Sequence, residues 1–186
     1  MLITSAHFMG YIGIICLTEI AFFVYIAGVP FIYQNNIHLT TTEMGFVFIP
    51  QTLVFMSAGF LCHHLVNQFG LNRVLLIGII SAIIGSILLI LLTLTPPTQI
   101  FTVLGPFLLI AFANGIIYPL SINEGLKKHA NIVGLASGFS GFLLLFASFI
   151  GTTLFSMVNS LGSSMMAIVM LIPCLLAIPC YYLSQR

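Results

Sequence analysis

Charge is what this chain has least of: four Lys or Arg and three Asp or Glu in 186 residues, 4% of the sequence. With 60% apolar residues and a mean hydropathy of +1.23, the polar side chains are too few to cover a soluble domain of this length. The composition predicts an all-α integral membrane protein. The basic residues Arg73, Lys127, Lys128 and Arg186 never gather into the patch that nucleic acid requires, which excludes DNA and RNA as partners.

Cysteine is scarce and scattered. Cys16, Cys62, Cys174 and Cys180 share no repeated spacing and sit in or beside apolar runs, so they read as small apolar residues. The start of the chain lacks a basic n-region, and its first apolar run far exceeds the ~7–15 residues of a signal h-region, so no cleaved signal is expected. No nucleophile elbow, phosphate loop or metal signature is present, so the reading is a non-enzyme without cofactor or metal.

Six apolar runs remain, at 8–33, 44–66, 74–94, 100–122, 132–158 and 165–183. Each approaches or exceeds the ~20 residues that a membrane helix needs. The links between them carry turn residues: Gln34-Asn35-Asn36, Asn67-Gln68-Phe69-Gly70, Pro96-Pro97, 124–131, and Asn159-Ser160-Leu161-Gly162. None is long enough for a soluble domain. All four basic residues follow the second, fourth and sixth helices, so the positive-inside rule places both termini in the cytoplasm.

The first run holds the most informative residue. Glu19 lies eleven residues beyond Phe8, which at ~1.5 Å per residue is ~17 Å into a ~30 Å hydrocarbon layer. An ionised side chain there costs roughly 2.5–3.5 kcal/mol, so Glu19 is expected to face a cavity or other helices. It is a candidate to exchange protons or to hold a cationic cargo; the plainer alternative is a protonated group bonded across a helix interface. The same run ends in Gly28-Val29-Pro30, where Pro30 loosens the helix and becomes a hinge candidate.

Polarity is distributed unevenly among the helices. The first carries Thr18, Glu19 and Tyr25; the second Gln51, Thr52 and Ser57; the fourth Asn114, Tyr118 and Ser121; the fifth Ser137, Ser140, Ser148, Thr152 and Thr153. The third and sixth are nearly free of polar side chains within the span and are expected to face lipid, leaving the other four to line an interior. Pro30 and Pro119 are 89 residues apart, as are Gly45 and Gly134, an echo consistent with two three-helix repeats of inverted topology.

Several smaller features have competing readings. Asn114, Tyr118 and Ser121 fall at i, i+4 and i+7, on one face of the fourth helix, where they could meet cargo or bond to neighbouring helices. Pro119 within that stripe frees a backbone carbonyl and is a second hinge candidate, or simply a kink. Gly134, Gly138 and Gly141 make a narrow face suited to close helix approach. His63 and His64 are adjacent, about 100° apart on a helix, which does not suit a metal. Glu124 and Lys127 or Lys128 have the spacing of an interfacial ion pair or, more ambitiously, a gate latch.

Three stretches resemble Bcr/CflA-type drug-resistance transporters of the major facilitator superfamily. Residues 21–45, AFFVYIAGVPFIYQNNIHLTTTEMG, are similar to the seventh helix, outer link and start of the eighth helix in that family. Residues 59–78, GFLCHHLVNQFGLNRVLLIG, resemble the cytoplasmic link between its eighth and ninth helices, with Phe69-Gly70-Leu71-Asn72-Arg73 as core. Residues 115–141, GIIYPLSINEGLKKHANIVGLASGFSG, resemble its tenth helix, the following link and the opening of the eleventh. The likeness covers nearly the whole chain in matching order.

That resemblance implies the C-terminal six-helix half of a proton-coupled small-molecule efflux antiporter in a bacterial inner membrane. Its partners would be a small-molecule substrate, protons, the lipid bilayer and an N-terminal six-helix half or a second copy. The family has twelve helices, and its proton-coupling acids lie mainly in the other half, so the resemblance does not assign that role to Glu19. The Asp of fuller versions of the link motif has no counterpart around 63–67. Glu19, Gln51, Asn114 and Tyr118 are the substrate and proton pathway candidates. The rival reading is a non-transporting membrane assembly subunit or the inactive remnant of a truncated transporter.

Overall fold

The computed structural model describes Leu2 and residues 5–94, 99–158 and 163–185. The Pro96-Pro97 link, the 159–162 link and Arg186 lie outside the described residues. Six long helices follow one another: α1 (Ala6–Asn36), α2 (Thr41–Phe69), α3 (Leu71–Thr93), α4 (Ile100–Lys127), α5 (Val133–Val158) and α6 (Ser163–Ser184). All six are long and apolar enough to cross a membrane. The protein is an all-α integral membrane protein, with a three-residue 3-10 turn at Ala130–Ile132 before α5. Helices dominate because hydrocarbon offers no partner to a free N–H or C=O, and a helix satisfies both within itself.

The observed helices match the predicted apolar runs, apart from Leu94 beyond α3 and Ile132 in the turn before α5, and extend beyond most of their ends, because polar residues cap them outside the apolar window. Ser5 Oγ accepts a hydrogen bond from the Phe8 amide at 3.3 Å and opens α1. Thr40 and Glu43 form a reciprocal capping box at the start of α2: the Thr40 amide donates to Glu43 Oε2 at 2.8 Å, and the Glu43 amide donates to Thr40 Oγ1 at 3.4 Å. Between α2 and α3 the chain turns at Gly70, whose φ of 81° lies where a side chain would be strained. Its amide donates to the Val66 carbonyl, closing α2 immediately before α3 begins.

The packing has an internal symmetry. The α1 to α6 contact is mirrored by that of α4 to α3, and the α1 to α5 contact by that of α4 to α2; α1 also packs on α4, and α3 on α6. Exchanging α1 with α4, α2 with α5 and α3 with α6 reproduces the same neighbours, the arrangement expected of two three-helix repeats. The repeats are not separate packing units, however. They trade their first helices, so that α1 lies with α5 and α6 while α4 lies with α2 and α3.

α1 and α4 form the centre, where the Tyr25 ring stacks on Phe107 with centroids 3.3 Å apart. Each of α2 and α5 buries one stripe: Met44, Gln51, Ala58 and Cys62 on α2, and Ala136, Ser140, Leu144, Ser148 and Phe155 on α5. α1 and α4 are thus the enclosed helices, whereas α2 and α5 leave their remaining faces uncovered. α3 and α6 each bury a face within the bundle and present apolar outer faces, with Ile77, Ile80, Ile84 and Leu91 on α3 and Ile172, Leu175 and Leu176 on α6. The broadest uncovered surface belongs to α2 and α5.

Close backbone approach occurs at glycines other than those of the predicted narrow face. A Cβ added to Gly115 would collide with the Phe55 carbonyl oxygen and come within 2.7 Å of Ala58 Cβ, so this glycine sets the α2 to α4 contact. At Gly134, Gly138 and Gly141 an added Cβ meets nothing within 4 Å. That open space corrects the expectation of close packing on that face within this chain. A glycine stripe reveals where a backbone can be approached, and not whether a neighbour is there.

Candidate functional site

Glu19 is enclosed, 7% exposed, halfway along α1. It lines a cavity of about 340 Å³ with Phe23, Tyr118, Gly141, Leu144, Leu145 and Ser148, so α1, α4 and α5 all contribute to the walls. Among the described residues no basic side chain pairs with Glu19. Ser148, across the cavity, donates its hydroxyl to the Leu144 carbonyl of its own helix at 2.9 Å. Thr18, adjacent in sequence, donates likewise to Ile14 at 3.1 Å. The Ser148 and Thr18 hydroxyls are thus occupied with backbone, and the carboxyl shares a mostly apolar space with Tyr118.

Tyr118 is 42% exposed and belongs to two cavities. The second, about 430 Å³, is walled by Phe55, Met56, Gly59, Phe60, Gly115 and Pro119 in addition to Tyr118. Pro119 lies within α4 and has no amide hydrogen, so the Gly115 carbonyl lacks its ordinary helical donor. That carbonyl faces Gly59, where an added Cβ would sit 3.7 Å from the oxygen. Phe22 continues the aromatic lining inward, with its centroid 6.2 Å from Phe55 and 5.5 Å from Phe107. The tyrosine therefore stands between an acidic compartment and an aromatic one.

The four pathway candidates divide into two pairs. Glu19 and Tyr118 meet in one cavity, whereas Gln51 and Asn114 line neither of these two. Gln51 is 5% and Asn114 1% exposed. Gln51 shares the buried stripe of α2 with Ala58 and Cys62, and Cys62 Sγ lies 3.8 Å from the Ile116 carbonyl of α4. Gln51 Oε1, Asn114 Nδ2 and Ser121 Oγ have no hydrogen-bond partner among the described residues. The helical stripe of Asn114, Tyr118 and Ser121 accordingly spans two environments: the first and last are enclosed, and only the tyrosine reaches open space.

Pro30 and Pro119 both lie inside continuous helices, α1 and α4. Lys127 Nζ donates to Glu124 Oε1 at 3.1 Å, an exposed pair three residues apart on one helix. His63 and His64 accept from Asn67 Nδ2 at 3.1 Å and Gln68 Nε2 at 2.9 Å, each one turn further along α2. All four cysteines are free thiols.

Phe23 was not singled out from the sequence, and Gly141 and Ser148 were read there only as part of a narrow face and of a polar helix. Phe23 lies four residues after Glu19 on the same helix face, and Gly141 and Ser148 have an i, i+7 spacing on α5. Those spacings could have associated them with a common face, but only the approach of α5 to α1 brings that face to Glu19. No protein-family model matches the chain, and the comparison with curated proteins finds no match.

Proposed function

We propose that this protein is one six-helix bundle of a secondary transporter that moves small molecules across a membrane, with Glu19 as the group that exchanges protons or balances cargo charge. The observation that carries the reading is the shared cavity of Glu19 and Tyr118, framed by three helices at membrane depth. A buried acid without a basic partner among the described residues is retained at a cost, and intramembrane ionisable groups commonly mark ion and substrate paths. The neighbouring aromatic cavity supplies apolar walls of the kind that hold organic molecules.

Alternating access requires two bundles that rock about a site near the bilayer midplane. The uncovered surfaces of α2 and α5 flank the two cavities and are where a second bundle would close the pathway. The resemblance to Bcr/CflA-type exporters makes that bundle an N-terminal six-helix half, and the transport mode drug efflux coupled to protons. Orientation with both termini in the cytoplasm of a bacterial inner membrane follows from the same reading.

The test is flux of a small drug-like solute in proteoliposomes under an imposed pH gradient, with the chain alone and with a separately supplied six-helix half. Gradient-driven flux by the parent, lost in a folded Glu19→Gln variant, is the expected result. No flux from well-folded protein in either format would overturn the proposal and favour a non-transporting membrane subunit.

A further inference from the structure

A second polar centre lies away from Glu19, at the end of the bundle where α1 begins and α4 finishes. His7 on α1 is within electrostatic reach of Glu124, Lys127, Lys128 and His129. The His7 ring meets Tyr11 edge-on at 4.9 Å, and the His129 ring meets Phe8 edge-on at 5.5 Å, which fixes both imidazoles against α1. Glu124 is engaged by Lys127 at 3.1 Å, leaving Lys128 without an ion-pair partner among the described residues. His7 Nδ1 and His129 Nε2 are enclosed and have no hydrogen-bond partner among the described residues.

Each of those facts bears on the ligand. A neutral imidazole has one N–H and one bare nitrogen, and an enclosed nitrogen without an acceptor favours placing the proton on the other nitrogen. The N–H groups then lie on His7 Nε2 and His129 Nδ1, and Lys128, next to His129 in the chain, is within electrostatic reach of His7. Such a group of donors, with one net positive charge, suits an oxyanion more than a cation. Beneath the cluster lies an apolar layer of Leu2, Phe8, Ile12 and Ala136 with Leu126 and Phe139 packed on it, and Ile132, Val133 and Leu135 are exposed alongside. An oxyanion attached to hydrocarbon would satisfy both surfaces at once.

The geometry points to an interfacial binding site for an anionic phosphodiester, the headgroup of an acidic phospholipid, formed by His7, Lys128 and His129, with its acyl chains along Ile132, Val133 and Leu135. The lipid joins the start of α1 to the link between α4 and α5 and so braces the two central helices against each other. This role is independent of transport through the Glu19 cavity.

Thermal melting of the purified full chain tests it, in bilayer discs of phosphatidylglycerol or phosphatidylcholine and in detergent with inorganic phosphate. Phosphatidylglycerol should protect more than phosphatidylcholine. Lys128→Ala should weaken that preference about fivefold, the equivalent of the ~1 kcal/mol that one interfacial lysine contributes. Lys128→Arg should restore it, and His129→Gln should reduce it. Protection by inorganic phosphate that the same variants lose would support the phosphate site with the free ion as its source. Equal protection by the two lipids, or a preference unchanged in Lys128→Ala and His129→Gln, would overturn the assignment; Lys128 is exposed, so its variants retain the fold.

Discussion

Glu19 on α1 and Ser148 on α5 wall the same cavity, yet the serine hydroxyl is turned to its own helix and donates to the Leu144 carbonyl. The carboxyl is left in a compartment with little to stabilise its charge. Glu19→Gln should therefore leave the melting temperature of detergent-solubilised protein unchanged or raise it, because the replacement removes the cost of enclosing an ion and keeps the shape. A large drop in melting temperature would show that the acid is a structural element.

Asn114 encloses an amide nitrogen on α4 that has no hydrogen-bond partner among the described residues. Replacing it with Leu, of similar volume, should stabilise the fold by ~1–3 kcal/mol in reversible unfolding, since an unsatisfied enclosed donor carries a desolvation penalty of that size. If Asn114→Leu is more stable and also loses flux, the side chain serves the pathway and not the packing.

Gly115 and Gly138 offer a paired comparison. Gly115→Ala drives a methyl into the Phe55 carbonyl and should destabilise the α2 to α4 contact by roughly 1–3 kcal/mol. Gly138→Ala meets open space on α5 and should be neutral or stabilising by up to ~1 kcal/mol through helix propensity alone. Chemical denaturation of both variants in the same micelle checks the ordering.

Orientation is open to direct labelling. Gln34 at the end of α1 and Asn131 before α5 are both exposed and lie at opposite ends of the bundle. In intact cells an impermeant maleimide should label Gln34→Cys and leave Asn131→Cys untouched until the membrane is opened. The reverse pattern would invert the proposed topology.

Much of the fold was legible in the residues. Each apolar run became part of one helix, with the additional length supplied by caps such as Thr40 with Glu43. The site was legible only in part. Glu19 stands out by charge, but Tyr118 and Asn114, both polar and one turn apart on α4, have opposite fates: one opens onto two cavities, the other is enclosed. Likewise the glycine face of α5 carries a packing signature without a neighbour, whereas Gly115, in a stretch noted for its polar residues, makes the closest approach.

The amino-acid sequence by itself determined six spans, their order and the gathering of Arg73, Lys127 and Lys128 in alternate links, because hydrocarbon thickness and backbone hydrogen bonding constrain the chain one segment at a time. Tertiary structure decided which face of each helix is covered, that the two repeats trade their first helices, and that Glu19 and Tyr118 line one cavity. Helices apolar on every side carry little periodic signal to mark an inner face, so the choice falls to shape and close packing between segments distant in the chain.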